Sequence, residues 1–171
     1  KIVANLMRLH KLSVKDIMSP RAVMFSQPMA RTVAQFLEAH AENPFSRIPV
    51  YGAHTDDICG YVLKQDLFMA AAKGESDKTL EDFRRDLPMM PDTMKASHAF
   101  NQLMHQRGHI MLIVDEYGTT EGLVTLEDVI ETLMGLEITD ELDTVEDMQA
   151  FARRKWHQRM TALGIDPKDW S

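Results

Sequence analysis

Hydrophobic and polar positions follow the same pattern twice along the chain. Residues 47–66 align with residues 109–128 at a constant offset of 62 positions. The shared positions are Ile48 with Ile110, Gly60 with Gly122, Val62 with Val124, and Asp66 with Asp128. Each copy is typical of a short apolar strand, a polar turn, a second strand and a helix that begins near an acidic residue. The sequence therefore predicts a tandem repeat.

The same pattern sets the bounds of the predicted elements. Strands are expected at 48–51 and 58–63 with a helix at 65–73, and again at 110–114 and 121–125 with a helix at 126–134. A helix with spaced apolar side chains precedes each pair of strands, formed by Val33, Phe36 and Leu37 in one copy and by Phe100, Leu103 and Met104 in the other. Short extended pieces at 22–25 and 87–90 precede these helices, and a short helix is expected at 80–85. Each repeat is thus β-α-β-β-α.

This order predicts an α/β (α+β) fold. A unit so small cannot bury both faces of its sheet alone, so the two repeats should pack together as a pseudo-twofold pair. We expect a lead-in helix over 1–12, repeat 1 over 13–74 and repeat 2 over 75–136. Residues 137–171 would form an acidic segment, a C-terminal helix over 144–160 and a tail.

Composition narrows the class of protein. The net charge of −7 argues against a nucleic-acid surface, which needs clustered Lys and Arg. Cys59 is the single cysteine, which excludes an internal disulfide, and its apolar surroundings favour a core residue over a nucleophile. No stretch approaches the roughly 20 apolar residues of a membrane span, and we expect no signal peptide. Because the chain begins at Lys1 rather than at Met, we expect it to be cut from a longer protein.

The residues that carry candidate chemistry lie at 122–128, Gly-Leu-Val-Thr-Leu-Glu-Asp. Thr125 and Asp128 fall where a buried strand meets the start of a helix. A carboxylate there can accept hydrogen bonds from a ribose diol, and a helix N-terminus favours phosphate. The alternative is a helix cap, with Thr125 capping and the acidic residues complementing the helix dipole. The motif alone leaves both open, and the repeat context favours the nucleotide.

Several stretches together resemble the tandem cystathionine-β-synthase (CBS) domain pairs of CorC/CNNM-type magnesium and cobalt transport proteins. The matching stretches are Val-Lys-Asp-Ile-Met-Ser-Pro-Arg at 14–21, Ser-Arg-Ile-Pro-Val-Tyr at 46–51, Val-Asp-Glu-Tyr-Gly at 114–118, Gly-Leu-Val-Thr-Leu-Glu-Asp-Val-Ile-Glu at 122–131 and Leu-Met-Gly-Leu-Glu-Ile-Thr-Asp-Glu at 133–141. The resemblance covers roughly residues 12–142. It implies an adenine nucleotide as ligand: ATP, AMP or ADP, with Mg²⁺ arriving as Mg-ATP.

The resemblance also implies a composite site. Its residues are Thr125 and Asp128 for the ribose, Ser19 near the adenine, Phe45 against the base, Ser46 and Arg47 toward the phosphates, and Ile48 lining the pocket. Phe45 could instead be a core residue, and Arg47 could form a surface ion pair. Repeat 1 departs from the family's Gly-x-x-(Ser/Thr)-x-x-Asp pattern because Leu63 stands at the hydroxyl position. We therefore expect one nucleotide per chain rather than two.

Other chemistry finds little support in the residues. Nine acidic residues and no Lys or Arg lie between 127 and 147; they could hold a hard cation, although a solvated face is the commoner meaning of such a run. The histidines lack metal-ligand spacing, since Arg107 and Gly108 should end the helix between His105 and His109. No catalytic set is visible, so we expect no enzyme activity and no resident metal.

The resemblance implies a cytosolic regulatory module that forms homodimers. It would bind adenine nucleotide and control an attached N-terminal membrane domain that transports divalent cations, and would therefore lie at the cytoplasmic face of the plasma membrane. Two alternatives stay open: a structural dimerisation module without a working nucleotide site, and a regulatory module of a soluble enzyme.

Overall fold

The computed structural model of the chain describes residues 2–138. The predicted C-terminal helix over 144–160 and the tail lie outside the described residues. The helices are α1 (Ile2–Leu9), α2 (Val14–Ile17), α3 (Val33–His40), α4 (Lys64–Ala72), α5 (Ala96–His105) and α6 (Leu126–Ile138). The strands are β1 (Ser19–Pro20), β2 (Gln27–Pro28), β3 (Arg47–Tyr51), β4 (Ile58–Leu63), β5 (Met89–Pro91), β6 (Ile110–Val114) and β7 (Thr120–Thr125). Short 3-10 turns form at Arg21–Val23 and Leu80–Phe83.

The chain folds into two compact units, and one of them is discontinuous. Among the described residues, the first unit joins residues 2–23 to residues 88–138, and the second unit is Met24–Leu87. This division differs from the predicted repeats 13–74 and 75–136. The reason is that β1 lies within predicted repeat 1 but pairs with β7 of repeat 2. The predicted mixed α/β class is confirmed.

The first unit contains a sheet of order β1-β7-β6-β5. Strands β6 and β7 form an antiparallel hairpin, and β5 runs parallel to β6. Helices α1, α2, α5 and α6 supply the apolar side chains that pack against one another and the sheet. The fully buried members of this core are Leu9, Val14, Ala96, Ala99, Leu103, Met111, Ile113, Val124 and Val129. Met104, expected on the buried face of α5, is 53% exposed, because the small residues of that helix face inward instead.

The second unit has a three-stranded sheet of order β2-β3-β4. Its helix α3 begins at a capping box, in which the Thr32 hydroxyl accepts a hydrogen bond from the Gln35 N–H at 3.2 Å. From this start the predicted apolar face points inward, with Val33 and Phe36 fully buried. They pack with Ile48, Val50, Val62, Leu67 and Leu80, which are also fully buried.

One predicted element is wrong. An extended piece was expected at 22–25, but the chain makes a 3-10 turn at Arg21–Val23 and becomes extended only at β2. The physical reason is that β1 pairs with the sheet of the first unit whereas β2 pairs with β3 in the second, so the chain must turn between them. Within residues 2–138 the other predicted strands and helices are present, with ends shifted by a few residues and with a 3-10 turn for the short helix expected at 80–85.

Candidate functional site

The start of α6 holds the candidate ribose-binding pair in a reciprocal capping box. The backbone N–H of Thr125 donates to Asp128 Oδ2 at 2.8 Å, and the Thr125 hydroxyl donates to the same oxygen at 2.9 Å. The backbone N–H of Asp128 in turn donates to Thr125 Oγ1 at 3.2 Å. Such a box satisfies N–H groups that the first turn of a helix would leave unpaired. The cap considered as an alternative from the sequence is therefore present.

The box also holds the two oxygen-bearing groups in fixed positions. Asp128 is only 6% exposed, and Thr125 is half-buried. Because Asp128 Oδ2 accepts from Thr125 twice, the carboxylate cannot rotate without breaking both bonds. A fixed carboxylate beside a helix N-terminus suits hydroxyl donors and an anionic ligand. The cap and a ribose-binding role are thus compatible in the same two side chains.

Ser19 lies on the strand next to the one that leads into this box. Strand β1 pairs antiparallel with β7 and places Ser19 opposite Leu123 and Pro20 opposite Gly122. A Cβ added at Gly122 would lie 2.5 Å from the Ser19 carbonyl oxygen, a distance that side-chain atoms essentially never adopt. Glycine at position 122 therefore allows β1 to approach. The first unit thus brings Ser19, Thr125 and Asp128 onto adjacent strands and the helix that follows them.

The other candidate residues belong to the second unit, at the start of β3. Phe45 is half-buried, and its ring centroid lies 6.1 Å from that of Phe25. Ser46 is exposed, and its carbonyl oxygen accepts from the Lys64 N–H at 2.9 Å. Ile48 is fully buried in the core of this unit, so the structure gives its side chain a packing role. Within this unit, Ile48 exposes no side-chain surface with which it could line a pocket.

Arg47 differs from the surface ion pair that was its alternative. Its Nε atom is buried and has no hydrogen-bond partner within residues 2–138. A buried guanidinium nitrogen without a partner costs free energy unless something accepts from it. The contact between Arg47 and a phosphate stays a prediction.

The counterpart of the capping box in repeat 1 is different. Leu63 precedes α4 and makes no side-chain cap hydrogen bond. Asp66 accepts instead from Arg85 Nη2 at 2.8 Å, in an ion pair whose side chains are 49% exposed for Arg85 and 30% for Asp66. The sequence repeat missed Arg85, because an offset of 62 places Ser19 over Glu81. Only the isolated β-bridge between Tyr61 and Arg85 reveals that Arg85 lies beside β4.

Other chemistry is not assembled in the described residues. Across residues 2–138, no group of three or more His, Cys, Asp and Glu side chains could hold a metal ion. Burial, followed by the charge of Asp57, raises the pKa of the Cys59 thiol, which keeps it protonated and weakly nucleophilic. In the same part of the chain, no helix has both the length and the apolar character to cross a membrane. The acidic run continues past residue 138, outside the described residues.

Comparison with known proteins places this arrangement in a family. The sequence profile of the CBS domain matches residues 80–135. The structure of the CBS domain of the bacterial CNNM/CorC family Mg²⁺ transporter in complex with ATP is similar to this chain with a TM-score of 0.73 and 31% sequence identity, covering 78% of this chain and 95% of that one. This chain belongs to the CBS domains of the CNNM/CorC family.

Longer relatives of this CBS module carry additional sequence. The UPF0053 protein sll1254 of Synechocystis is 33% identical over 167 residues, covering 98% of this chain and 48% of that protein. The magnesium and cobalt efflux protein CorC of Escherichia coli is 30% identical over 151 residues, covering 87% of this chain and 51% of CorC. The chain spans about half the length of these relatives.

Proposed function

We propose that this chain is a cytosolic regulatory module that binds ATP as Mg-ATP and controls a divalent-cation transporter domain attached at its N-terminal side. The observation that carries the proposal is the fixed carboxylate and hydroxyl pair of Asp128 and Thr125 at the start of α6. The ATP complex of the related CBS domain supports the choice of nucleotide. The name of CorC, a magnesium and cobalt efflux protein, supports the attached transport function.

Within this proposal each site residue has a role set by its chemistry. Thr125 and Asp128 hold the ribose, and Ser19 lies near the adenine. Phe45 packs against the base, because an aromatic ring offers a stacking face. Ser46 and Arg47 contact the phosphates, where the Arg47 guanidinium makes charge-assisted hydrogen bonds and Mg²⁺ offsets the remaining negative charge. None of these roles requires bond making, and the module is not an enzyme.

Regulation then follows from differential affinity. A ligand shifts a conformational equilibrium only by the difference between its affinities for the two states. We propose that the module forms homodimers and that nucleotide favours one arrangement of the dimer, which biases the transporter domain at the cytoplasmic face of the membrane. Apolar side chains are exposed on α4 (Phe68, Met69) and α6 (Ile130, Met134), as an interface would require. Sedimentation analysis at several protein concentrations, with and without ATP, tests the dimer.

Calorimetric titration with ATP, in the presence and absence of Mg²⁺, tests nucleotide binding. The unsubstituted chain should bind, and Asp128→Ala should bind at least about tenfold more weakly, since it removes hydrogen bonds to a charged acceptor worth roughly 1.5–3 kcal/mol each. Asp66→Ala, the equivalent change in repeat 1, is the matched control and should leave ATP affinity unchanged. No heat and no thermal shift at millimolar ATP would reject the proposal.

The capping box supports one competing function. Because Thr125 and Asp128 satisfy each other without a ligand, the same residues could serve a purely structural dimerisation module. The two functions differ in the titration: a structural module gives a dimer that neither binds ATP nor changes its association when ATP is added.

A further inference from the structure

In each repeat, a glycine of the second hairpin strand lies against the backbone of an extended segment from another part of the chain. A Cβ added at Gly122 would lie 2.5 Å from the carbonyl oxygen of Ser19, and a Cβ added at Gly60 would lie 2.5 Å from the carbonyl oxygen of Arg85. Gly60 and Gly122 are the same position of the repeat. The preceding residues are equivalent as well. A side-chain atom of Met18 lies 2.7 Å from the Cβ added at Gly122, and a side-chain atom of Arg84 lies 2.7 Å from the Cβ added at Gly60.

The hydrogen bonding gives the same correspondence. Ser19 is opposite Leu123, the residue after Gly122, and Arg85 is opposite Tyr61, the residue after Gly60. The Tyr61 N–H donates to the Arg85 carbonyl at 3.0 Å, and the Arg85 N–H donates back at 2.8 Å. Arg85 is therefore the structural equivalent of Ser19. Where repeat 2 has a short hydroxyl side chain next to its strand, repeat 1 has a long cation.

The Arg85 guanidinium contacts the carboxylate that a nucleotide in repeat 1 would need, that of Asp66. Arg85 Nη2 donates to Asp66 Oδ2 at 2.8 Å, and Asp66 is the repeat-1 equivalent of Asp128. In repeat 2 the carboxylate is oriented by the small Thr125. In repeat 1 it is neutralised by a guanidinium whose side chain extends from the linker to the first turn of α4. A ribose diol would have to compete with a charge-assisted hydrogen bond at Asp66 Oδ2, and a neutral hydroxyl donor is the weaker of the two.

We propose that Arg85 closes repeat 1 to nucleotide and that, together with Leu63, it limits each chain to one bound nucleotide. The inference rests on the proposed function for the identity of the ligand. It adds a residue that the family pattern at 60–66 does not contain. It also states that restoring the missing hydroxyl at position 63 is not sufficient: the Asp66 carboxylate must be released as well.

The test is the number of ATP molecules bound per chain, measured by calorimetry with Mg²⁺ on the whole chain. Leu63→Thr combined with Arg85→Ser should double the stoichiometry of the unsubstituted chain. Leu63→Thr alone should leave it unchanged. The matched control is Leu63→Thr with Arg84→Ser, which removes the same charge from the neighbouring residue, whose Nη1 donates to the Cys59 carbonyl at 2.8 Å instead of to Asp66. This control should also leave the stoichiometry unchanged.

A doubled stoichiometry for Leu63→Thr alone, or for Leu63→Thr with Arg84→Ser, would overturn the inference. An unchanged stoichiometry for the folded variant Leu63→Thr with Arg85→Ser would overturn it too. Circular dichroism and thermal melting establish folding. If the double variant does not fold, Leu63→Ser with Arg85→Ala makes the same test. If this variant folds and its stoichiometry stays unchanged, the inference is equally rejected.

The experiment also separates this inference from the proposed function. Both substitutions are repeated in an Asp128→Ala background, where repeat 2 should bind ATP at least about tenfold more weakly. Tighter binding by Asp128→Ala with Leu63→Thr and Arg85→Ser than by Asp128→Ala alone supports closure by Arg85 whatever the unsubstituted chain does. An unsubstituted chain that binds no ATP rejects the proposed function only, whereas absence of binding by every variant rejects both.

Discussion

The capping box at the start of α6 makes a quantitative prediction for Thr125→Ala. The substitution removes the hydrogen bond from the Asp128 N–H to Thr125 Oγ1 at 3.2 Å and the one from the Thr125 hydroxyl to Asp128 Oδ2 at 2.9 Å. Losing an N-cap costs about 1 kcal/mol, within a range of roughly 0.5–2. A hydrogen bond to a carboxylate contributes roughly 1.5–3 kcal/mol, although Asp128 keeps its bond from the Thr125 N–H. We therefore expect the free energy of unfolding to fall by about 1–3 kcal/mol.

Urea denaturation monitored by circular dichroism measures this loss. The melting temperature should fall together with it, by about 2–4 °C for each kcal/mol in a chain of this size. Thr125→Ser keeps the hydroxyl and removes only a methyl group, so it should cost less than about 1 kcal/mol. If Thr125→Ala is as stable as the unsubstituted chain to within about 0.5 kcal/mol, the range of ordinary surface substitutions, then the box does not stabilise the helix and the reasoning is refuted.

Two further predictions address the packing of β1 against Gly122 and the protonation of His40 at the end of α3. Gly122→Ala should destabilise the protein by about 1–3 kcal/mol, as overpacking does, because the added Cβ would lie 2.5 Å from the Ser19 carbonyl oxygen. Equal melting temperatures for Gly122→Ala and the unsubstituted chain would contradict this prediction. Gly118→Ala is a contrasting variant, because Gly118 lies in open space and an alanine there is strained only by the positive φ of 79°. Burial, followed by the charge of Arg31, lowers the pKa of His40 below its usual value. The imidazole of His40 is therefore protonated more readily in the unfolded chain than in the folded one. The stability that neutral His40 contributes is complete above about pH 6.5 and declines as the pH falls below that value. His40→Gln should therefore flatten the stability profile below about pH 6.5, whereas an unchanged slope would contradict the assignment.

Much of the fold was predictable from local patterns. The strands at 48–51 and 110–114 were found because buried β-strands give short apolar runs between turns, and β6 is buried over four of its five positions. Helix α6 was placed correctly at its start because Thr125 and Asp128 are a capping signal in the sequence itself. These elements depend on residues that are close along the chain.

What the sequence could not supply depends on partners far along the chain. The turn at Arg21–Val23 was missed because it exists only where β1 joins one sheet and β2 another. Arg85 was missed because the linkers before the two repeats differ in length, so that a constant offset of 62 compares Ser19 with the wrong residue. Ile48 was expected to line a pocket, and that role stays a prediction; its side chain is fully buried in the core of the second unit, and an apolar residue in a strand does not by itself distinguish the two roles.

The pairing of β1 with β7 has a consequence for how the protein is synthesised. The second unit, Met24–Leu87, is continuous and can fold once its last residues have been made. The sheet of the first unit cannot be completed until β7 exists, so the segment that will form β1 must wait through the synthesis of about a hundred intervening residues. Once β7 has been made, its edge stays free until β1 pairs with it, and free edges pair readily with other chains. A truncation that begins at Met24 would make that vulnerable intermediate permanent.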